Sequence, residues 1–235
     1  MRIGILSTPN TLALGPVTTG LIANGIPVDC ILLDSKGLSD YQVEYVRERT
    51  GGMLEPVPLG KLEDFHIPFF HLKSHLSDAC YELVKERELD LLISASSPSI
   101  LDQRILNASK IGIVGCHPGL LPRFRGSCCV EWAIDMDEPV GNTIYFLSKG
   151  IDEGPVVIQE TIELTKKDTY QDVRQKAYLA GFDLLARGVR KIIDECLDPR
   201  KMQYQVGGKK FKTMTDKKLK TVMDKLQKGA YVYQI

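Results

Sequence analysis

Two segments carry the residue types suited to proton transfer. In Ile111 to Gly126, IGIVGCHPGLLPRFRG, a short apolar run stops at His117 and Pro118. Ile111, Ile113 and Val114 predict a buried strand, Pro118 cannot continue its ladder, and Gly119, Pro122 and Gly126 punctuate a loop. An extended strand end turns Gly115 and His117 to one face and Cys116 to the other. In IYFLSKGIDEGPVVIQE a second strand-like run breaks at Gly150-Ile151-Asp152-Glu153-Gly154 and resumes at Pro155. An acidic residue at such a break can be brought close to a strand-end imidazole. A lone strand-end histidine also serves as a hydrogen-bonded structural residue, and these residues by themselves leave both roles open.

Other reactive side chains give weaker patterns. His66, His71 and His75 lie close in sequence, and a helix beginning by His71 sets His71 and His75 on one face, as the ligands of a metal-dependent hydrolase would be. Pro68 interrupts the first spacing and no HExxH is present, so no metal is expected and ordinary loop and first-turn histidines are the simpler account. Six cysteines, at 30, 80, 116, 128, 129 and 196, show no even spacing and no CxxC pair. That usage fits a reduced, cytoplasmic protein. Vicinal Cys128 and Cys129 read as small apolar packing at the start of a helix.

The elements that must position these residues alternate. Arg2 to Ser7 and Val28 to Leu33 predict buried strands around a helix carrying Leu12, Leu14, Val17, Leu21 and Ile22, the opening of a doubly wound α/β sheet. The turn Ser7-Thr8-Pro9-Asn10-Thr11 has neither GxGxxG nor GxxxxGK[ST]. A charged helix is expected from Tyr41 to Arg49. Ser74 is the expected cap of a helix carrying Asp78, Cys80, Leu83 and Val84 that leads to a strand at Leu89 to Ala95. Ser127 to Met136 predicts a helix, while Asn142 to Leu147 and Pro155 to Ile162 predict strands. Asp168-Thr169 opens a long helix carrying Val173, Ala177, Leu184, Leu185, Val189 and Ile192. Pro199 closes a domain of residues 1–199. Residues 200–235 form a lysine-rich appendage expected to be a solvated helix, with packing on the body or in a homodimer as the alternatives.

With 235 residues and 43% hydrophobic content, one large core can be buried. Lys+Arg and Asp+Glu both number 30, so no charge excess draws the chain to nucleic acid or to an anionic membrane. No apolar run approaches the roughly 18 residues of a span, and Met1 to Ser7 does not read as an export signal.

Together the two segments resemble the formyltransferase superfamily, the 10-formyltetrahydrofolate-dependent enzymes that act on glycinamide ribonucleotide, methionyl-tRNA and sugar nucleotides. The family pattern is Asn-x-His-Pro, a small residue, Leu-Leu-Pro, a short basic loop and Gly, then Asp-x-Gly. His117, Pro118, Gly119, Leu120, Leu121, Pro122, Gly126, Asp152 and Gly154 match it, within a resemblance spanning residues 1 to 195. It implies a doubly wound, mostly parallel, Rossmann-like sheet and 10-formyltetrahydrofolate as the donor substrate. His117 would then serve the oxyanion and the departing N10, with Asp152 raising its pKa. Ser99, Ile100 and Leu101 would clasp the pteridine, and Leu120, Leu121 and Pro122 would wall the pterin and benzoyl regions. Leu147, Ser148, Gly150 and Ile151 would supply further contacts, and Arg123 and Arg125 would meet an acceptor phosphate or the folate glutamate.

One position departs from the pattern. Gly115 stands where the family carries the asparagine that orients the formyl carbonyl and donates to the oxyanion. Loss of one such donor costs about 100- to 1,000-fold in rate. The expected activity is formyl transfer to the amine of a small molecule, with a nucleotide-linked amino sugar favoured. The alternatives are an impaired or inactive folate-binding variant, because of Gly115, and the metal-dependent hydrolase.

Overall fold

The computed structural model describes residues 1–235. Its strands are Ile3–Ser7 (β1), Cys30–Asp34 (β2), Phe69–Leu72 (β3), Leu91–Ser94 (β4), Gly112–His117 (β5), Phe124–Gly126 (β6), Gly141–Phe146 (β7), Val156–Thr161 (β8) and Lys209–Phe211 (β9). Seven of them form one sheet in the order β3-β2-β1-β4-β5-β7-β8. The first five of that order run parallel, and β7 and β8 are antiparallel to their neighbours. The doubly wound, mostly parallel expectation therefore holds. β1 and β2 read IGILS and CILLD and are buried throughout, as strands covered on both faces must be.

The helices are Leu14–Ala23 (α1), Asp40–Arg49 (α2), Asp78–Glu86 (α3), Gln103–Leu106 (α4), Cys129–Asp135 (α5), Tyr170–Asp194 (α6) and Asp216–Gln227 (α7). Alternation along the strands sorts the core. Ile3, Ile5, Ile31, Leu33, Ile93, Val114 and Ile144 pack with Leu14, Val17 and Leu21 of α1 and with Leu184, Leu185 and Val189 of α6. Leu6, Leu32, Leu92 and Ile113 pack on the other side with Cys80 and Val84 of α3 and Ile105 of α4. Thr169 starts α6 with a reciprocal bond to Asp172, so the long helix begins where the sequence placed it. No helix is long and apolar enough to cross a membrane.

Two local expectations change. His71 lies on β3, paired with Leu33 of β2, because Phe69–Leu72 extends the sheet by one strand and does not open a helix. The cap of α3 is Ser77, whose side chain accepts from the Cys80 N–H, and not Ser74.

Residues 200–235 are not a solvated helix standing off the body. β9 pairs with β6, and Phe211 stacks on Phe124 at 5.4 Å and on Trp132 at 5.3 Å between ring centroids. Met214, Val222, Leu226 and Tyr231 join Phe124, Val130, Ile134 and Val173 in one buried cluster, and the Tyr231 hydroxyl donates to the Glu138 carbonyl. Lysine-rich composition hid this apolar face, since long cationic side chains keep their heads in water while their neighbours are buried.

Candidate active site

The parallel strands bring five loops to one edge, those after β1, β2, β3, β4 and β5. Strand order reverses between β1 and β4, and a crevice outside the carboxyl ends is expected there. A cavity of about 590 Å³ occupies it. Its walls are Asn10 to Ala13, Leu38, the α2 residues Val43, Val46 and Arg47, Ser94 to Ser96, and the α6 residues Tyr178, Gly181 and Phe182, with Cys116, Pro118 and Asn142 at the sheet. A side-chain carbon at Gly181 would come within 3.0 Å of Cys116 Sγ, so the missing side chain holds the helix close to the floor. Burial pushes the Cys116 thiol up to about 12, leaving it neutral.

His117 closes β5 on the opposite face from Cys116, as alternation requires. Its Nε2 donates to the Phe124 carbonyl at 2.8 Å, and its Nδ1 lies 3.6 Å from Asp152 Oδ2. Asp152 accepts the Gly126 N–H at 2.7 Å and the Tyr145 hydroxyl at 2.8 Å. Burial and the neighbouring carboxylate push the Tyr145 hydroxyl well up, so it remains a donor. Asp152 itself sits at φ 56, a left-handed conformation that costs of order 1 kcal/mol and is kept only where surroundings enforce it. Gly154 helps enforce it: a side-chain carbon there would fall 1.7 Å from the Phe146 carbonyl oxygen, so only glycine lets the turn cross the end of β7.

The expected upward shift of His117 does not occur. Burial lowers its pKa, and Asp152 and the Phe124 carbonyl offset this only in part. The ring is neutral near pH 7 and carries its proton on Nε2, since a carbonyl can only accept. Nδ1 therefore presents a lone pair beside a carboxylate. His75 is likewise lowered, first by burial, though its Nε2 meets the Leu32 carbonyl. For both rings the folded state binds fewer protons than the unfolded state, so stability rises with pH. The contribution is present above the unfolded histidine value of about 6.5 and is lost as pH falls below it. Urea midpoints are expected to fall between about pH 7.5 and pH 5.5, and to fall less in a His117→Gln protein.

The residues foreseen around the donor divide into groups. Leu101 is buried in the cluster against which Leu147 packs. Leu147, Ser148 and Gly150 line a second cavity of about 560 Å³ together with Gln103, Asn107, Tyr204 and Gln205. Ile100 and Ile151 are exposed, and Ser99 offers its carbonyl to the Ser97 hydroxyl. Leu120, Leu121 and Pro122 lie apart from these, on the β7 and β8 flank. There the Leu121 N–H donates to Thr143 Oγ1 and its carbonyl accepts from Gln159 Nε2. Arg125 is buried with Nη1 3.5 Å from Glu153, while Arg123 pairs with Glu138 at the surface.

Gly115 is covered. A side-chain carbon there would meet Leu147 Cδ1 at 2.9 Å and Ser94 Cβ at 3.7 Å. His71 and His75 do not converge, because one lies on an exposed strand position and the other is buried with its backbone N–H donating to Asp34. No cluster of three ligating side chains accompanies them. Tyr145 as the partner of Asp152, and the α2 and α6 walls of the larger cavity, are not apparent from the sequence motifs. Tyr178 and Phe182, one helical turn apart beside Gly181, were the available signal.

A family model described as Formyl transferase matches residues 1–188. A methionyl-tRNA formyltransferase from Kosmotoga olearia is 30% identical over 144 residues, covering 60% of this chain and 46% of that protein. The chain thus spans about half the length of the curated relatives it matches. The structure resembles glycinamide ribonucleotide transformylase 1 from Symbiobacterium toebii, with TM-score 0.66, 20% identity, and coverage of 88% of this chain and 93% of that one. It also resembles a sugar N-formyltransferase from Shewanella sp FDAARGOS_354, with TM-score 0.61, 18% identity, and coverage of 92% and 78%.

Proposed function

The chain belongs to the formyl transferase family, and from that premise we propose that it carries a formyl group from 10-formyltetrahydrofolate to the amine of a small molecule. The observation that carries the reading is His117, a neutral imidazole whose free Nδ1 lone pair is backed by Asp152. Attack of an amine on the formyl carbon releases a proton, and a neutral ring beside a carboxylate is built to take it. Asp152 stabilises the imidazolium so formed, and collapse of the adduct returns the proton to N10. Gly126 and Tyr145 hold the carboxylate for this task.

The two cavities suit two substrates. The one at the switch point reaches Pro118, the residue that follows His117, and takes the acceptor. The one along Leu147, Ser148 and Gly150 takes the donor. A nucleotide-linked amino sugar is the proposed acceptor. Tyr178 and Phe182 offer rings for a base, Arg47 offers a cation for phosphate, and the likeness to a sugar N-formyltransferase supports trying it first. Six free cysteines are in keeping with work in the reducing cytoplasm.

A second reading, a folate-binding protein without turnover, is favoured by Gly115 and the leucine above it. Calorimetric titration with 5-formyltetrahydrofolate is expected to give about one equivalent bound, weakened about tenfold in a Ser148→Trp protein that fills the second cavity. Tetrahydrofolate release with an amine supports transfer. Binding with no release under any amine favours the second reading, and absence of binding at millimolar ligand overturns both.

A further inference from the structure

We propose that the Ser94 hydroxyl supplies the hydrogen bond to the developing oxyanion that no side chain at position 115 can give. The assignment rests on the formyl-transfer reading. β4 and β5 are parallel neighbours with Ser94 directly paired to Gly115, so the two positions share a face, and Gly115 shares that face with His117 two residues on. The paired geometry is close, with Ser94 Cβ 3.7 Å from where a Gly115 side chain would begin.

Thr143 and Tyr145, the hydroxyl-bearing residues of β7 paired with His117 and Gly115 on this face, are already committed. Thr143 Oγ1 donates to the Gly119 carbonyl and accepts the Leu121 N–H, and Tyr145 donates to Asp152. Ser97, just beyond the strand, is bonded to the His75 ring and the Ser99 carbonyl. Ser94 lines the larger cavity, where an acceptor would arrive, while Leu147 lines the second cavity and touches position 115. Position 115 is thus the partition between the two cavities. The obstruction there is the end of a flexible leucine side chain, which an arriving formyl group can displace.

The step balances without a co-reactant. The amine lone pair forms the new C–N bond, and the carbonyl π pair moves onto oxygen, which accepts from Ser94 while Ser94 keeps its proton. The amine proton passes to His117 Nδ1. Collapse restores the carbonyl and breaks the bond to N10, which receives that proton.

The test uses tetrahydrofolate release by the whole chain, with 10-formyltetrahydrofolate and either an amine or water as acceptor, and 5-formyltetrahydrofolate affinity as a measure of ground-state binding. Ser94→Ala is expected to lower kcat about 100- to 1,000-fold with donor affinity changed less than about threefold. Ser94→Thr, which keeps the hydroxyl, is expected to retain at least about a tenth of kcat, and adding Gly115→Asn with Leu147→Ala to Ser94→Ala is expected to regain at least about tenfold. The assignment is overturned if Ser94→Ala keeps kcat within about threefold, or if kcat and donor affinity fall together as they would from a merely structural loss. Absence of turnover in the unmodified chain defeats the transfer reading itself, an outcome distinct from an active enzyme indifferent to Ser94.

Discussion

Replacing His117 with alanine is expected to reduce formyl-transfer turnover about 10²- to 10⁴-fold, the usual contribution of a positioned acid–base group. The residue also holds the loop after β5 through the Phe124 carbonyl, so the same change removes a buried hydrogen bond worth about 1–3 kcal/mol to the fold. Stability measured beside kcat separates the two effects, since a folded but inactive protein assigns the loss to chemistry. The pH profile separates them further. Burial already lowers the His117 pKa while Asp152 raises it in part, so Asp152→Asn is expected to lower it again. The acid limb of kcat then moves to lower pH as the maximum falls. Unchanged kcat in either variant, in a protein that turns over, removes the pair from the active site.

What could be foreseen from the residues followed their physical range. Strand and helix periodicity is local, and it delivered β1, β2, β4, β5, α1, α6 and the opposed faces of Cys116 and His117. The His117 and Asp152 partnership was legible because each sits at a break forced by glycine or proline. The sign of the His117 shift was not, because it depends on how deeply the ring is enclosed by Tyr145, Phe124 and the Asp152 turn, which meet only in the folded chain. β3 was hidden because Phe69–Leu72 is a short strand in which a histidine suggested other chemistry. The burial of residues 200–235 was masked by lysines whose spacing says nothing about Phe211 meeting Phe124 and Trp132.

A second large effect is expected away from the chemistry, at Glu131 of α5. This carboxylate is fully buried among Arg49 of α2 and Arg174 and Tyr170 of α6, and Arg49 and the Tyr170 hydroxyl both donate to its Oε1. Burial alone would raise its pKa, but the two guanidiniums hold the carboxyl below its usual range. Glu131→Ala leaves two arginines facing each other without an anion, and removal of one partner from such a group costs about 3–5 kcal/mol. Denaturant unfolding should show a lowered midpoint with little change in slope. Replacing Glu131, Arg49 and Arg174 together by apolar residues of similar volume is expected to recover most of that loss, because the desolvation cost of the charges disappears with them. The arginines also set the acceptor cavity. Arg49 closes the helix whose Val46 and Arg47 form one wall, and Arg174 Nη2 donates to the hydroxyl of Tyr178, which lines the other. Glu131→Gln, milder than alanine, should therefore raise the KM for the acceptor several-fold while leaving 5-formyltetrahydrofolate affinity unchanged, because the second cavity shares no residue with α2 or α6. Equal weakening of both ligands would mean that the ion cluster supports the whole sheet edge and not the acceptor wall alone.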